Sequence, residues 1–137
     1  MTAQLHRPDA AALWAELRHS SDHRFDECAA AAGPRRALAQ RRLLLALELR
    51  WKLEEQVLLP ALQSSDQALR EDVQAAEKEI GLLRELGELV DDPGLPASAH
   101  GVVLAVLEGI ATLRSEQIER ALGQAMQARR IDGPALA

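Results

Sequence analysis

The chain has 137 residues, 47% of them apolar and only 2% aromatic, with a net charge of −5. That length suits one domain with a real hydrophobic core. The lack of Tyr and the single Phe leave few strand formers, and the negative balance excludes a basic nucleic-acid footprint. The lone cysteine, Cys28, excludes an internal disulfide framework and predicts a reducing, cytoplasmic setting. The opening MTAQLHRPDAA has no apolar h-region, which predicts no secretory signal. The longest fully apolar run, Leu43–Leu47, is too short to cross a bilayer, so no membrane span is expected.

In chain order the pattern predicts four helices, at about 9–32, 34–63, 66–90 and 96–130, within a single domain 1–137. The first starts at Pro8 or Asp9 and stops at Gly33-Pro34. Leu13, Trp14, Leu17, Ser21, Phe25 and Cys28 form its inner stripe, with Cys28 expected as a buried, inert thiol. His19 and His23 have the i,i+4 spacing of a zinc pair but sit on the polar side, where solvated histidines are the expectation. His6 and His100, near chain or helix ends, are expected to be exposed. The second helix carries Pro60 in its last turn, which predicts a kink or an early end. Ser64 and Gln67 then stand at capping-box spacing for the third helix. Leu69, Val73, Ala76, Ile80, Leu83, Gly87 and Val90 give that helix a seam in steps of three and four. Asp91-Asp92-Pro93-Gly94 is a turn, and the fourth helix follows, with Val103, Val106, Ile110, Leu113, Gln117 and Ala121 as its stripe. The tail Ile131–Ala137 is expected to fray.

Long amphipathic helices joined by short breaks predict an all-α, up-down-up-down four-helix bundle. The chain has no Gly-rich phosphate loop, CxxC, GxSxG or HExxH, so a non-enzymatic role is expected.

The unusual stretch is Leu43–Leu62, LLLALELRWKLEEQVLLPAL. At about 100° per residue, Leu43, Leu47, Trp51, Leu58, Ala61 and Leu62 share one face. Arg50 and Glu54 fall in the middle of that face as i,i+4 neighbours. A charge in an apolar stripe is costly unless it is paired or bound. Leu38, Leu45, Leu49 and Leu59 fall off the stripe, which predicts a second, partner-covered face. The Arg35-Arg36 and Arg41-Arg42 pairs read as solvated charges.

Arg50–Leu62, RWKLEEQVLLPAL, resembles the second-helix motif of hemerythrin-like (HHE cation-binding) domains, roughly H-x-x-x-E-E-x-x-L-F-P-x-L. The resemblance implies a four-helix bundle and, in the family, non-heme iron held by His and carboxylates. It also implies links to oxygen or nitric-oxide handling and iron–sulfur repair. Here Arg50 stands at the motif's His and Glu54 at its first Glu. A guanidinium has no lone pair for a metal. The first-helix His corresponds to His23 or, by the stripe, to Arg24. The third helix offers Glu77 without a His, and the fourth offers Thr112 and Glu116 for its H-x-x-x-E.

The expectation is therefore a hemerythrin-like bundle whose iron site is replaced by an internal ion pair of Arg50 and Glu54. Arg24, Glu77 and Glu116 are the candidate further members, and no cofactor is expected. It would act as a small binding or regulatory protein, as a homodimer or with a protein partner. One alternative is a metalloprotein of the same fold, holding iron or zinc through His23, Glu54 and Glu116 for oxygen or nitric-oxide sensing or iron handling. The other is a structural helical interaction module.

Overall fold

The computed structural model describes residues 7–65 and 67–127, which contain helices and no strand. The expected Ser64–Gln67 cap, His6 and the tail Ile131–Ala137 lie outside what is described.

Helix α1 spans Arg7–Ala30, and the bond from the Ala31 amide to the Glu27 carbonyl at 3.0 Å closes its last turn. Gly33 then adopts φ 59°, a conformation that L side chains rarely take, and Pro34 opens α2 (Pro34–Leu53) with its fixed φ. The chain continues without a break into a π turn, Glu54–Leu58, and then α3, Leu59–Ser65. Helix α4 spans Gln67–Val90 and α5 spans Ala97–Gln127.

Pro60 explains the π turn. A proline ring inside an α-helix presses on the carbonyl four residues back, here Gln56, and offers no N–H. The Leu59 amide instead reaches back five residues to the Glu54 carbonyl, widening the turn ahead of the proline. The helix therefore neither ends nor frays at Pro60. The wider turn also changes which side chains face inward afterwards. Leu59, expected off the stripe, is buried together with Leu58, while Leu38, Leu45 and Leu49 are exposed as expected.

The core collects Trp14, Phe25 and Cys28 from α1, Leu43, Leu47 and Trp51 from α2, Val73, Ile80, Leu83 and Val90 from α4, and Leu107, Ala111, Ile118 and Leu122 from α5. The inner stripe of α5 is a correction to the sequence reading. Val106 and Leu113 are exposed, and the buried row runs one position later, through Leu107, Ala111, Arg114, Ile118 and Leu122. That rotation delivers Arg114 to the core, and the surface takes Val102, Val106 and Leu113 in exchange. Helix α5 is also long and apolar enough to cross a bilayer by length and composition, a feature that the run Leu43–Leu47 did not reveal.

Two further contacts lock neighbouring helices. Arg84 of α4 forks onto Glu48 of α2 (3.0 and 2.7 Å) and Glu55 of the π turn (3.0 and 2.9 Å). Two hydrogen-bonded carboxylates hold its guanidinium well above the ordinary arginine range. At the other end, Gln40 donates to Asp91 (3.2 Å) and meets His100 Nε2 (2.6 Å). His100 is therefore half-buried, not exposed as its position near a helix end suggested. The Asp91–Gly94 turn is closed by the Gly94 amide donating to the Asp92 carboxylate at 2.8 Å. Successive partners run in opposite order: Trp14 meets Glu54 while Ser21 meets Arg50, and Gln40 meets Asp91 while Glu48 meets Arg84. The α1–α2 and α2–α4 pairs are thus antiparallel.

Candidate functional site

Glu54 is the first residue of the π turn and is fully buried, as are Arg50 and Arg114. Side chains from all four long helical segments converge around it. Helix α1 contributes Trp14 and Ser21, two turns apart on its inner face; α2 contributes Arg50; α4 contributes the Ala76 carbonyl and Glu79; α5 contributes Arg114.

The two carboxylate oxygens have different partners. Oε1 accepts from Arg114 Nε at 3.0 Å and Nη2 at 2.8 Å. Oε2 accepts from the Trp14 indole N–H at 2.7 Å and lies 3.5 Å from Arg50 Nε. The remaining Arg114 nitrogen, Nη1, donates to the Ala76 carbonyl and reaches Glu79 Oε1 at 3.3 Å. Arg114 thus has all its edges engaged, as a buried guanidinium requires.

Arg50 is less well served. Its Nη1 donates to Ser21 Oγ at 2.9 Å, and that hydroxyl passes its own hydrogen to the Arg18 carbonyl at 2.9 Å. Arg50 Nε and Nη2 have no hydrogen-bond partner among the described residues. Burial pushes this guanidinium below its ordinary range, opposed by the charges of Glu54 and Asp22. The charges nevertheless balance once Glu79 is counted: two guanidiniums face one buried and one partly buried carboxylate.

The structure brings Arg50 and Glu54 together, as a charge contact, but Glu54's hydrogen-bonded guanidinium is Arg114. The other candidates stand elsewhere. Arg24 bonds Glu27 on its own helix at 2.7 Å, because its position on α1 points it along the helix flank. Glu77 and Glu116 are exposed, each on the outer side of its helix. The α4 carboxylate that joins the cluster is Glu79, two residues beyond Glu77, because the α4 seam carries it toward α5. His23 is exposed and lies 3.8 Å from Glu27. His19 is exposed as expected for a solvated residue, and Cys28 is buried. Sequence reasoning missed Arg114, Trp14 as a partner of Glu54, and Ser21 as a hydrogen-bonding group.

The iron implied by the resemblance does not fit these residues. Glu54 has both oxygens engaged, two fixed positive charges sit beside it, and His23 and Glu116 are exposed, outside the buried cluster. Among the described residues no three His, Cys, Asp or Glu side chains converge as a metal would need. What the cluster does physically is tie α1, α2, α4 and α5 to one carboxylate in a low-dielectric interior, where each charge-assisted bond is strong and directional.

No family model, curated protein or solved structure matches the chain.

Proposed function

We propose that the chain is a hemerythrin-like, up-down-up-down four-helix bundle in which a buried guanidinium–carboxylate cluster stands where family members carry iron. It acts without catalysis, as a small cytoplasmic binding or regulatory protein. The antiparallel α1–α2 and α2–α4 contacts support the bundle order. The observation that carries the reading is Glu54, at the motif's carboxylate position, with Arg114 and Trp14 on its oxygens and Arg50, at the motif's His position, 3.5 Å away. A guanidinium supplies the positive charge that a metal would, and it ties helices together through its fork of donors. Arg50 and Arg114 divide that role, one on each side of the carboxylate.

The half-exposed leucines of α2 support a partner-facing role for the same helix. Elemental analysis tests the core of the reading. Protein expressed with added iron and purified without chelator is expected to hold only traces of metal. Near-stoichiometric iron with a metal-dependent absorption band would overturn it and favour oxygen or nitric-oxide sensing or iron handling.

A further inference from the structure

We propose that the outer face of α2 docks an acidic amphipathic helix of a partner protein. This rests on the reading that the protein works by binding, and it names the chemistry of what is bound. Leu38, Leu45 and Leu49 are 50%, 61% and 50% exposed, and their spacing of seven and four returns them to one side of the helix. That side is opposite Leu43, Leu47 and Glu54, so no rotation of α2 could bury both rows.

The row is flanked by Arg35, Arg41, Arg42 and Lys52, all exposed, and none forms an ion pair among the described residues. Glu48 and Glu55, which would offset them, are both drawn to Arg84 of α4. The face is therefore cationic on a chain whose net charge is −5. Beside the row, between α2 and α4, lies a groove of about 460 Å³ with Leu44, Leu45, Trp51 and Gly87 among its walls. It offers a seat for an apolar side chain. Glu88 and Asp91 also line it, so the groove takes an apolar side chain while the acidic residues of the partner meet the arginines and the lysine beside the leucine row.

These features select among occupants. A two-fold pairing with a second copy would set the four cations against the same four. A membrane-lying helix presents a broad apolar face, whereas this row is one residue wide and about 16 Å long. Nucleic acid would use the cations and leave the leucines in water. An acidic helix with leucines at intervals of three, four and seven uses both, its apolar residues meeting Leu38, Leu45 and Leu49 and its Glu residues meeting the flanking bases.

The test uses the full chain and a synthetic amphipathic helix built from Leu and Glu in heptads, read by fluorescence anisotropy. A peptide of the same composition, scrambled to destroy the stripe, is the control. Phosphatidylserine vesicles and duplex DNA are the competing probes. Micromolar binding of the amphipathic peptide, weakened by salt and lost about tenfold or more in Leu45→Ser, is the expected result. Arg41→Glu with Arg42→Glu should weaken it comparably. Leu45 is exposed, so its serine variant keeps the fold, and circular dichroism checks this. Equal binding of the scrambled peptide, or full affinity in Leu45→Ser, would overturn the proposal, as would tighter binding to vesicles or DNA. Light scattering at twice the chain mass, reversed by Leu45→Ser, would give the face to a second copy and overturn it too. Iron content is read separately, so failure of the docking face leaves the ionic core standing, and the reverse.

Discussion

Arg114→Ala and Arg50→Ala remove the same side chain from equally buried positions, so their cavity and transfer terms are similar and their difference isolates the polar contacts. Arg114→Ala deletes two hydrogen bonds to Glu54, at 3.0 and 2.8 Å, together with the links to Ala76 and Glu79. Glu54 is then left with Trp14 and a guanidinium 3.5 Å away. Stranding a buried carboxylate in this way costs on the order of 3–5 kcal/mol. Arg50→Ala deletes one bond to Ser21 and the 3.5 Å charge contact, but it also removes two donors, Nε and Nη2, that make no hydrogen bond among the described residues. Relief of those unmet donors should make Arg50→Ala less costly than Arg114→Ala by at least about 1 kcal/mol. Urea denaturation followed by circular dichroism measures both. At roughly 3–5 °C per kcal/mol for a chain of this length, Arg114→Ala should lower Tm by about 9–25 °C. Replacing all three charges together, as Arg50→Met, Glu54→Leu and Arg114→Met, should cost less than Arg114→Ala alone, because no buried charge is left unpaired: Glu79 is one-third exposed and turns to water, and the remaining loss is the acceptor of the Trp14 indole N–H. An Arg50→Ala cost equal to or above that of Arg114→Ala would refute the assignment of Arg114 as Glu54's main partner. An Arg114→Ala cost below about 1 kcal/mol would refute the buried cluster itself.

Arg84→Ala should cost only about 0.5–1 kcal/mol despite four good hydrogen bonds, since the pairs are about one-third exposed, and the loss should shrink in high salt. Burial pushes the Cys28 thiol above its ordinary 9.0, against a smaller opposing effect of Arg36. The folded chain thus keeps its proton where the unfolded chain has lost it. Stability from this group is complete below 9.0 and falls as pH rises past it, a slope that Cys28→Ala should abolish in chemical denaturation. The π turn holds one residue more than an α turn, so deleting exposed Gln56 together with Pro60→Ala should yield a continuous α-helix that keeps Glu54, Leu58, Leu59, Ala61 and Leu62 inward. Stability within about 1 kcal/mol of the parent is expected, and unfolding of this variant would count against the proline account of the turn.

Sequence periodicity alone located the four helical segments, the inner faces of α1 and α4, and the charge buried at Arg50 and Glu54, because each is a local property of spacing along one helix. It did not find Arg114. The sign was present, an arginine between Leu107, Ala111 and Ile118 just as Arg50 lies between Leu47 and Leu58. A competing row of larger residues, Val106, Ile110 and Leu113, hid it. Which row turns inward depends on the other helices: the Glu54 carboxylate and the Ala76 carbonyl attract Arg114, and satisfying them outweighs exposing Leu113. Leu59 follows the same logic, since its burial depends on a π turn set by Pro60 that an even helical wheel does not contain. The choice of Glu79 over Glu77, and of Trp14 as a donor to Glu54, came from how the helices pack, because hydrogen bonds across helices depend on depth and rotation that no single helix specifies.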